Sequence, residues 1–121
     1  MIQPLEKVRH YYERVDANDI EWVSALFADH AIYERADSRF VGKTAIREFF
    51  AVHRKIRGVH SLEQIWSVED DVVVVKGCFN GVGADGEPRS IGFSDIWYFD
   101  AGGRVSKRQS YLAIGHEYIE A

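Results

Sequence analysis

The second half of the chain changes from helical to alternating hydrophobic spacing, and this change restricts the fold more than any other feature. From His60 onward, apolar residues recur at every second position, which is the period of a half-buried β-strand. Polar turns interrupt the pattern three times, and Asp85-Gly86 is the strongest hairpin signal among them. Strands that are joined by short turns run antiparallel. The sequence therefore predicts an antiparallel meander with long strands at 60–68, 72–82, 89–99 and 104–114.

The first half of the chain carries helical spacing instead. Apolar residues recur three and four positions apart over 4–15, which predicts an amphipathic helix. Asp19 is a suitable N-cap for a short second helix at 20–27, and Thr44 for a third helix at 45–56. All three predicted helices precede the meander.

Between the second and third helices, "HAIYERA" predicts one short strand and "RFVGK" predicts a loop with Gly42 as its turn residue. Helices followed by antiparallel strands are typical of an α+β fold. The 121 residues fit one domain over 1–121. We expect the helices to pack on the concave side of the sheet and to leave an internal apolar pocket.

Composition excludes several classes of partner. A net charge of −4 and a pI of about 5.7 argue against nucleic-acid or anionic-membrane binding, which needs a basic face. The basic cluster "HRKIRG" at 53–58 is interpreted as a solvated helix end. Cys78 is alone, so no intrachain disulfide forms and a cytoplasmic location is expected. No membrane span, metal-ligand spacing or nucleotide-binding loop is present, so we expect no metal and no cofactor.

Asp95 stands in an otherwise aromatic strand, "GFSDIWYFD". Alternation places it with Phe93 and Trp97 on the more apolar face. Burial of a lone carboxylate costs several kcal/mol, so Asp95 needs a partner unless it is protonated. On the last strand, Gln109 and Tyr111 share one face and are expected to line the same pocket.

Large apolar side chains also fall on the opposite face of the sheet. Ile96 and Tyr98 lie there by alternation. A sheet face with large apolar groups and no helix to cover it points to a partner. We therefore expect a homodimer through the outer sheet face, with the first long strand contributing Leu62, Trp66 and Val68.

Three stretches, "ANDIEWVSALFADHAIYE", "GKTAIREFF" and "DIWYFDAGGRV", resemble the nuclear transport factor 2-like superfamily. Within it they most resemble the ketosteroid isomerase and SnoaL-like polyketide cyclase branch, and the resemblance spans residues 8–112. It implies a curved sheet wrapped by three helices, a cone with an apolar pocket, and usually a homodimer. The superfamily holds isomerases, cyclases, dehydratases, epoxide hydrolases and non-catalytic binders, so the fold does not define the reaction.

Site residues can be carried over from ketosteroid isomerase, which combines a tyrosine and a protonated aspartic acid with an aspartate base. The resemblance places the tyrosine at Tyr11 and the aspartic acid at Asp95, but Arg35 stands at the position of the base. Arginine cannot act as a base, so the steroid isomerase mechanism is not expected. The acidic triad of limonene epoxide hydrolase is not expected either, because it would need acidic residues near Gly77 or Phe79 and at Gln109, and neither is present.

Arg35 changes what Asp95 is expected to do. Tyr33 and Arg35 share the inward face of the short strand, and an Arg35–Asp95 pair would lower the pKa of Asp95 and keep it ionised. The hypothesis is that Asp95 acts as general acid/base and that Arg35 stabilises an anionic oxygen. Tyr11, Tyr33 and His60 would orient the substrate or shuttle protons.

The predicted function is a cofactor-independent isomerase, cyclase or lyase that acts by acid/base catalysis on an apolar, carbonyl-bearing polycyclic or aromatic ligand. Natural product biosynthesis is the expected context. Two alternatives stay open: a non-catalytic small-molecule binding protein in which Asp95 and Arg35 form a structural pair, and a dimeric interaction module with a vestigial pocket. The predicted pocket walls are Trp22, Phe27, Tyr33, Phe50, Phe79, Phe93, Trp97, Gln109 and Tyr111.

Overall fold

Three helices pack against one six-stranded sheet in the computed structural model, which describes residues 3–54 and 56–113. The helices are α1 (Pro4–Asp16), α2 (Ile20–Ala25) and α3 (Lys43–Glu48), and a π-helical turn (Phe49–His53) follows α3. The strands are β1 (Phe27–Arg35), β2 (Ser38–Val41), β3 (Arg57–Glu69), β4 (Val72–Val82), β5 (Pro88–Phe99) and β6 (Val105–Ala113). Within these described residues, no helix has the length and apolar character needed to cross a membrane.

The strand order is β2-β1-β6-β5-β4-β3. Strands β3 to β6 form the predicted antiparallel meander, and the predicted α+β fold with a curved sheet and three helices is confirmed. The sheet is mixed and not purely antiparallel, because β1 runs parallel to β6. The predicted last residue of the meander, Ile114, lies outside the described residues.

The prediction of a loop at "RFVGK" is wrong, because Ser38–Val41 forms strand β2 and pairs with β1. Only two residues separate the strands, and Ala36 takes a positive φ of 49° in the turn. Phe40 is the partner of Tyr33 and turns towards the core, while Val41 is exposed. A strand of four residues with a single inward aromatic shows too little alternation to be detected from sequence.

The third predicted helix, 45–56, is also shorter than expected. Its α-helical part ends at Glu48, and the π-helical turn brings the backbone N–H of Arg54 to 2.8 Å from the carbonyl oxygen of Phe49. A hydrogen bond over five residues widens the helix, and such turns occur often at functional sites. Gly58, a residue type that often follows the end of a helix, lies in β3, which begins at Arg57.

Helix α1 covers the concave face of the sheet with the predicted helical stripe. Its buried residues follow the spacing i, i+3, i+4 and i+7, namely Val8, Tyr11, Tyr12 and Val15. Tyr11 packs edge-on against Trp97 of β5, with ring centroids 4.7 Å apart. Two adjacent tyrosines of α1 thus reach the sheet, and they carry the only polar groups on this helix stripe.

The outer face of the sheet differs from the prediction at one residue. Trp66 and Val68 are 43% and 60% exposed, as expected of an outer face, but Leu62 packs against the core. The β3–β4 pairing is irregular between Leu62 and Gln64, and this irregularity reverses the alternation. The homodimer through this face stays a prediction.

Gly58 and Gly81 face each other across β3 and β4, where the two backbones approach closely. A Cβ on Gly81 would press against the Arg57 carbonyl oxygen and would lie 2.7 Å from the Gly58 Cα. Because these are backbone atoms, Gly81→Ala should lower the free energy of unfolding by about 1–3 kcal/mol, measured by urea denaturation. Gly92→Ala in β5 is the control, since its Cβ would meet nothing closer than 3.5 Å. Equal losses in both variants would contradict this steric explanation.

Candidate active site

A pocket opens between the helices and the concave face of the sheet, and its empty space is about 460 Å³ when counted out to the mouth. Along β5, the lining residues run from Ile91 through Phe93 to Asp95, which is 1% exposed and forms the floor. Eight of the predicted site residues line this pocket: Tyr11, Tyr33, Arg35, Phe50, His60, Phe79, Phe93 and Asp95.

Gln109 and Tyr111 do not line the pocket, because the alternation of β6 is opposite to the prediction. Asp95 pairs directly with Ser110, and directly opposed residues of antiparallel strands share a face. Gln109 therefore points outward and donates a hydrogen bond to Glu34 at 3.0 Å, and Tyr111 is 57% exposed. The inward residues of β6, which the sequence analysis missed, are Arg108, Ser110 and Leu112.

Three further predicted wall residues lie elsewhere. Phe27 and Trp97 are fully buried in the core beneath the pocket, with ring centroids 6.1 Å apart. Trp22 on α2 lies under the guanidinium of Arg14, at 5.8 Å from its ring centroid, and does not reach the pocket. Large aromatic residues fill a core as readily as they line a cavity, so the residue type did not separate the two cases.

Asp95 is held by a buried network at the floor. Arg108 donates a hydrogen bond from Nη2 to Asp95 Oδ2 at 2.9 Å, and the Tyr12 hydroxyl donates to the same oxygen. Trp97 Nε1 donates in turn to the Tyr12 hydroxyl at 3.2 Å. Arg108 Nη1 donates to the Tyr11 hydroxyl at 2.6 Å. The floor is therefore an ion pair with two tyrosines attached to it.

The expected Arg35–Asp95 pair is wrong: the counter-ion of Asp95 is Arg108. In the β1–β6 pairing, Tyr33 lies beside Arg108 and Arg35 lies beside Ser110. Arg35 is consequently one residue pair nearer the mouth, where its guanidinium lies 4.7 Å from the Phe49 ring centroid. Arg108 pairs with Asp95 because its strand, β6, is the direct neighbour of β5, whereas Arg35 lies on β1, one strand further away.

The pKa of Asp95 follows from these contacts. Burial by itself would raise this pKa, but the charge of Arg108 and hydrogen bonds from Ser110, Tyr12 and Arg108 outweigh burial. The pKa of Asp95 therefore lies below its ordinary value of 3.8, and the group is a carboxylate at neutral pH. The sequence also predicts a lowered pKa for Asp95, but with Arg35 and not Arg108 as the charged partner. A carboxylate stabilised in this way is a weak base.

Tyr11 is a neutral hydrogen-bond donor at the pocket floor. Burial raises its pKa to about 12, although the charge of Arg108 opposes the shift. Its hydroxyl oxygen accepts the hydrogen bond from Arg108, and no described residue accepts the hydroxyl proton. That proton is available to a ligand in the pocket.

His60 forms a dyad with Asp16, a partner that the sequence analysis missed. Asp16 ends α1, and its carboxylate accepts hydrogen bonds from the His60 backbone N–H at 2.8 Å and from Nδ1 at 2.5 Å. Because Nδ1 carries the proton, Nε2 is the free acceptor. Nε2 has no partner among the described residues, and His60 is one of the residues that line the pocket.

The pKa of His60 lies below its ordinary value of 6.5. Burial lowers the pKa most, Asp16 opposes this effect in part, and the nearby charge of Arg54 lowers the pKa further. The imidazole is therefore neutral at pH 7. A neutral imidazole with a free Nε2 and an oriented Nδ1–H can accept a proton.

Arg54 is the other lining residue that the sequence analysis missed. It belongs to the basic cluster "HRKIRG", which was interpreted as a solvated helix end, but it is only 8% exposed. The π-helical turn ends directly before Arg54, and the guanidinium lies 6.0 Å from the Phe79 ring centroid. Helix ends on a surface favour cations, so the sequence alone gave no reason to place this arginine inside.

The curved sheet, the helices on its concave side and a pocket with a polar floor together define the nuclear transport factor 2-like fold. The chain belongs to the SnoaL-like domain family, since the model of that family matches residues 8–108. No curated protein gives a significant match to the chain.

Several solved structures share this fold at low sequence identity. An NTF2-like protein of unknown function from Burkholderia pseudomallei is 18% identical, with a TM-score of 0.84 and complete coverage of both chains. An LEH-like epoxide hydrolase of M. tuberculosis is 13% identical, with a TM-score of 0.81 over 96% of this chain and 88% of the other. SalBIII, an epoxide hydrolase/cyclase-like enzyme of pyran ring formation in polyether salinomycin, is 16% identical, with a TM-score of 0.79 over 92% and 91%.

Proposed function

We propose that this protein is a cofactor-independent enzyme that moves a proton on a carbonyl-bearing ligand, with His60 as the general acid/base. The observation that carries the proposal is the His60–Asp16 dyad in a pocket that also holds a neutral tyrosine and two arginines. Within the described part of the chain, His60 Nε2 has no partner and the two arginines have no ion-pair partner. Isomerisation, cyclisation and elimination all begin with such a proton transfer. Membership of the SnoaL-like family agrees with this range of reactions.

The pocket also offers a hydrogen-bond donor for the enolate that removal of a proton by His60 would produce. Abstraction of a proton next to a carbonyl makes an enolate, and the developing oxyanion needs fixed donors in a water-poor site. Tyr11 offers its hydroxyl proton at the floor of the pocket. The weakly basic imidazole of His60 therefore abstracts the proton, and the Tyr11 hydroxyl donates a hydrogen bond to the negative oxygen.

Asp95 takes a different part in this mechanism from the one that the sequence suggested. Its Oδ2 accepts hydrogen bonds from both Arg108 and Tyr12, and its lowered pKa makes it a poor base. Arg108 in turn fixes the hydroxyl oxygen of Tyr11 and directs the Tyr11 proton towards the pocket. We assign Asp95 as a positioning residue that acts through Arg108.

The proposal can be tested without knowledge of the natural reaction. The protein is incubated in deuterium oxide with neutral and anionic ketones, such as α-tetralone and β-benzoylpropionate, and exchange of the protons next to the carbonyl is followed by NMR. Enzyme-dependent exchange is expected because reversible enolisation replaces those protons with deuterium. Saturable binding of the ketones without any exchange would instead support the non-catalytic binding protein.

The role of Asp16 gives a prediction on pH dependence. Asp16 raises the pKa of His60, so Asp16→Asn should lower that pKa further, which an NMR titration of the His60 ring proton measures directly. The neutral, basic form of His60 then persists to lower pH. In a plot of exchange rate against pH, the rise in rate should therefore occur at lower pH than in the wild type. The plateau rate should fall about 100-fold, because the amide no longer fixes the productive tautomer. Asp29→Asn, at an exposed position, should change neither quantity. An unchanged titration of His60 in Asp16→Asn would contradict the dyad.

A further inference from the structure

Two guanidinium groups in the pocket have no anionic partner in the described part of the chain. Among residues 3–54 and 56–113, neither Arg35 nor Arg54 forms a salt bridge, and their side chains make no hydrogen bond. Each instead lies over an aromatic ring, Phe49 for Arg35 and Phe79 for Arg54. Arg54 is 8% exposed, so its guanidinium meets water or a ligand through the pocket that it lines.

The charges of the pocket lining do not cancel. Asp95 and Arg108 neutralise each other at the floor, which leaves the charges of Arg35 and Arg54 in excess. The charge of Arg35 also acts unfavourably on Arg54, since it adds to the lowering of the Arg54 pKa that burial begins. A buried cation without a counter-ion destabilises a protein. An arginine kept there for structure alone would carry a carboxylate partner, as Arg108 does.

We propose that the ligand of this pocket carries a carboxylate, which Arg54 and Arg35 bind at the mouth. This inference rests on the proposed function at one point, namely that the bound ligand is the substrate of the enzyme. The planar guanidinium fork matches the two oxygens of a carboxylate, and such charge-assisted hydrogen bonds are among the strongest in proteins. The predicted apolar ligand is thereby replaced by an amphipathic one, a small keto acid with a hydrophobic body.

The apolar lining gives the orientation of that keto acid. Phe79, Ile91 and Leu112 line the same pocket as the two arginines and would contact the hydrophobic body. With its carboxylate at Arg54, the keto group would extend inward towards Tyr11 and His60. The carboxylate anchors the molecule, and the reacting carbon stays near the free imidazole nitrogen.

The test compares β-benzoylpropionate with its primary amide, which has the same shape and no charge. Isothermal titration calorimetry with the wild-type protein should give at least roughly 10-fold tighter binding of the carboxylate. Arg54→Gln and Arg35→Gln should each weaken carboxylate binding by roughly 10- to 100-fold and leave amide binding unchanged. Arg54→Lys keeps the charge and should retain part of the affinity. Arg39→Gln, an exposed arginine of β2 that pairs with Glu34, is the matched control and should behave as wild type.

Three results would overturn the inference: equal affinity of the wild type for carboxylate and amide, no saturable carboxylate binding at millimolar concentration, or equal loss of both ligands in Arg54→Gln and Arg35→Gln. Circular dichroism confirms that each variant is folded. The outcome is separate from the proposed function. Arginine-dependent binding of the carboxylate without deuterium exchange would support carboxylate recognition and contradict the proposed proton-transfer activity. Exchange on α-tetralone without a preference for the carboxylate would support the activity and contradict carboxylate recognition.

Discussion

Replacement of Arg108 with methionine should destabilise the protein by about 3–5 kcal/mol at neutral pH, the largest stability loss that we expect from a single substitution. The reason is that Asp95, 1% exposed at the pocket floor, would lose its counter-ion and keep its negative charge. Tyr12 would still donate a hydrogen bond to the carboxylate, but it brings no charge. Urea denaturation at pH 7 measures the loss.

The pH dependence of that variant should be inverted relative to the wild type. In the wild type, the folded pKa of Asp95 is lowered, so its stabilising contribution is present above the unfolded pKa of about 3.9 and is lost as pH falls through the folded pKa. Without Arg108, burial raises the folded pKa above the unfolded value. The variant should then be least impaired below about pH 3.9 and should lose stability as pH rises through the raised pKa.

A double substitution separates the unpaired charge from lost packing. Asp95→Asn combined with Arg108→Met removes both charges and should recover a large part of the stability that Arg108→Met loses. Arg39→Met, on the exposed strand β2, controls for loss of a surface arginine and should stay within about 0.5 kcal/mol of wild type. A double variant as unstable as Arg108→Met at neutral pH would show that charge pairing is not what Arg108 contributes.

Replacement of His60 with glutamine should reduce the deuterium exchange rate by about 10²–10⁴-fold, the usual contribution of a general acid/base. Glutamine is similar in size and can still donate a hydrogen bond to Asp16, so the fold around α1 and β3 is kept while the proton acceptor is lost. The rate is measured by NMR under saturating ketone.

His53→Gln is the matched control for this substitution. His53 is exposed at the end of the π-helical turn and its ring lies 3.3 Å from the Glu48 carboxylate, so its replacement should leave the exchange rate unchanged. A His60→Gln protein that retains full activity would refute the assignment of His60 as acid/base and would return attention to Asp95.

The architecture followed from the sequence because long alternating runs and strong turn signals act locally. Asp85-Gly86 and the polar turns on either side specify the meander, and the stripe on α1 specifies which side is covered. Alternation also placed Asp95 correctly, since strand β5 pairs regularly with β4 from Val82 to Val72. Where the pairing is regular, the alternation of the sequence correctly gives the face of the sheet on which each side chain lies.

The site was less predictable because its details depend on irregularities and on burial of charge. Nothing local in β6 shows that Arg108, and not Tyr111, faces inward; that depends on its register against Asp95. The partnership of Asp16 with His60 joins the end of α1 to the start of β3, 44 residues apart, and no spacing rule connects them. A buried arginine is rare, so residue type argued against Arg54 and Arg108.

The position of the Arg54 guanidinium in the pocket depends on the number of residues in the π-helical turn at Phe49–His53, and not only on which residues line the pocket. Each residue added to or removed from a helix rotates everything after it by about 100° about the helix axis. Loss of one residue here would let the Arg54 N–H bond the Phe49 carbonyl over four residues, as in an α-helix, and should shift the guanidinium of Arg54 relative to Phe79. We therefore expect that a one-residue insertion or deletion in this turn can change which ligands the pocket binds without altering the chemistry of any pocket side chain.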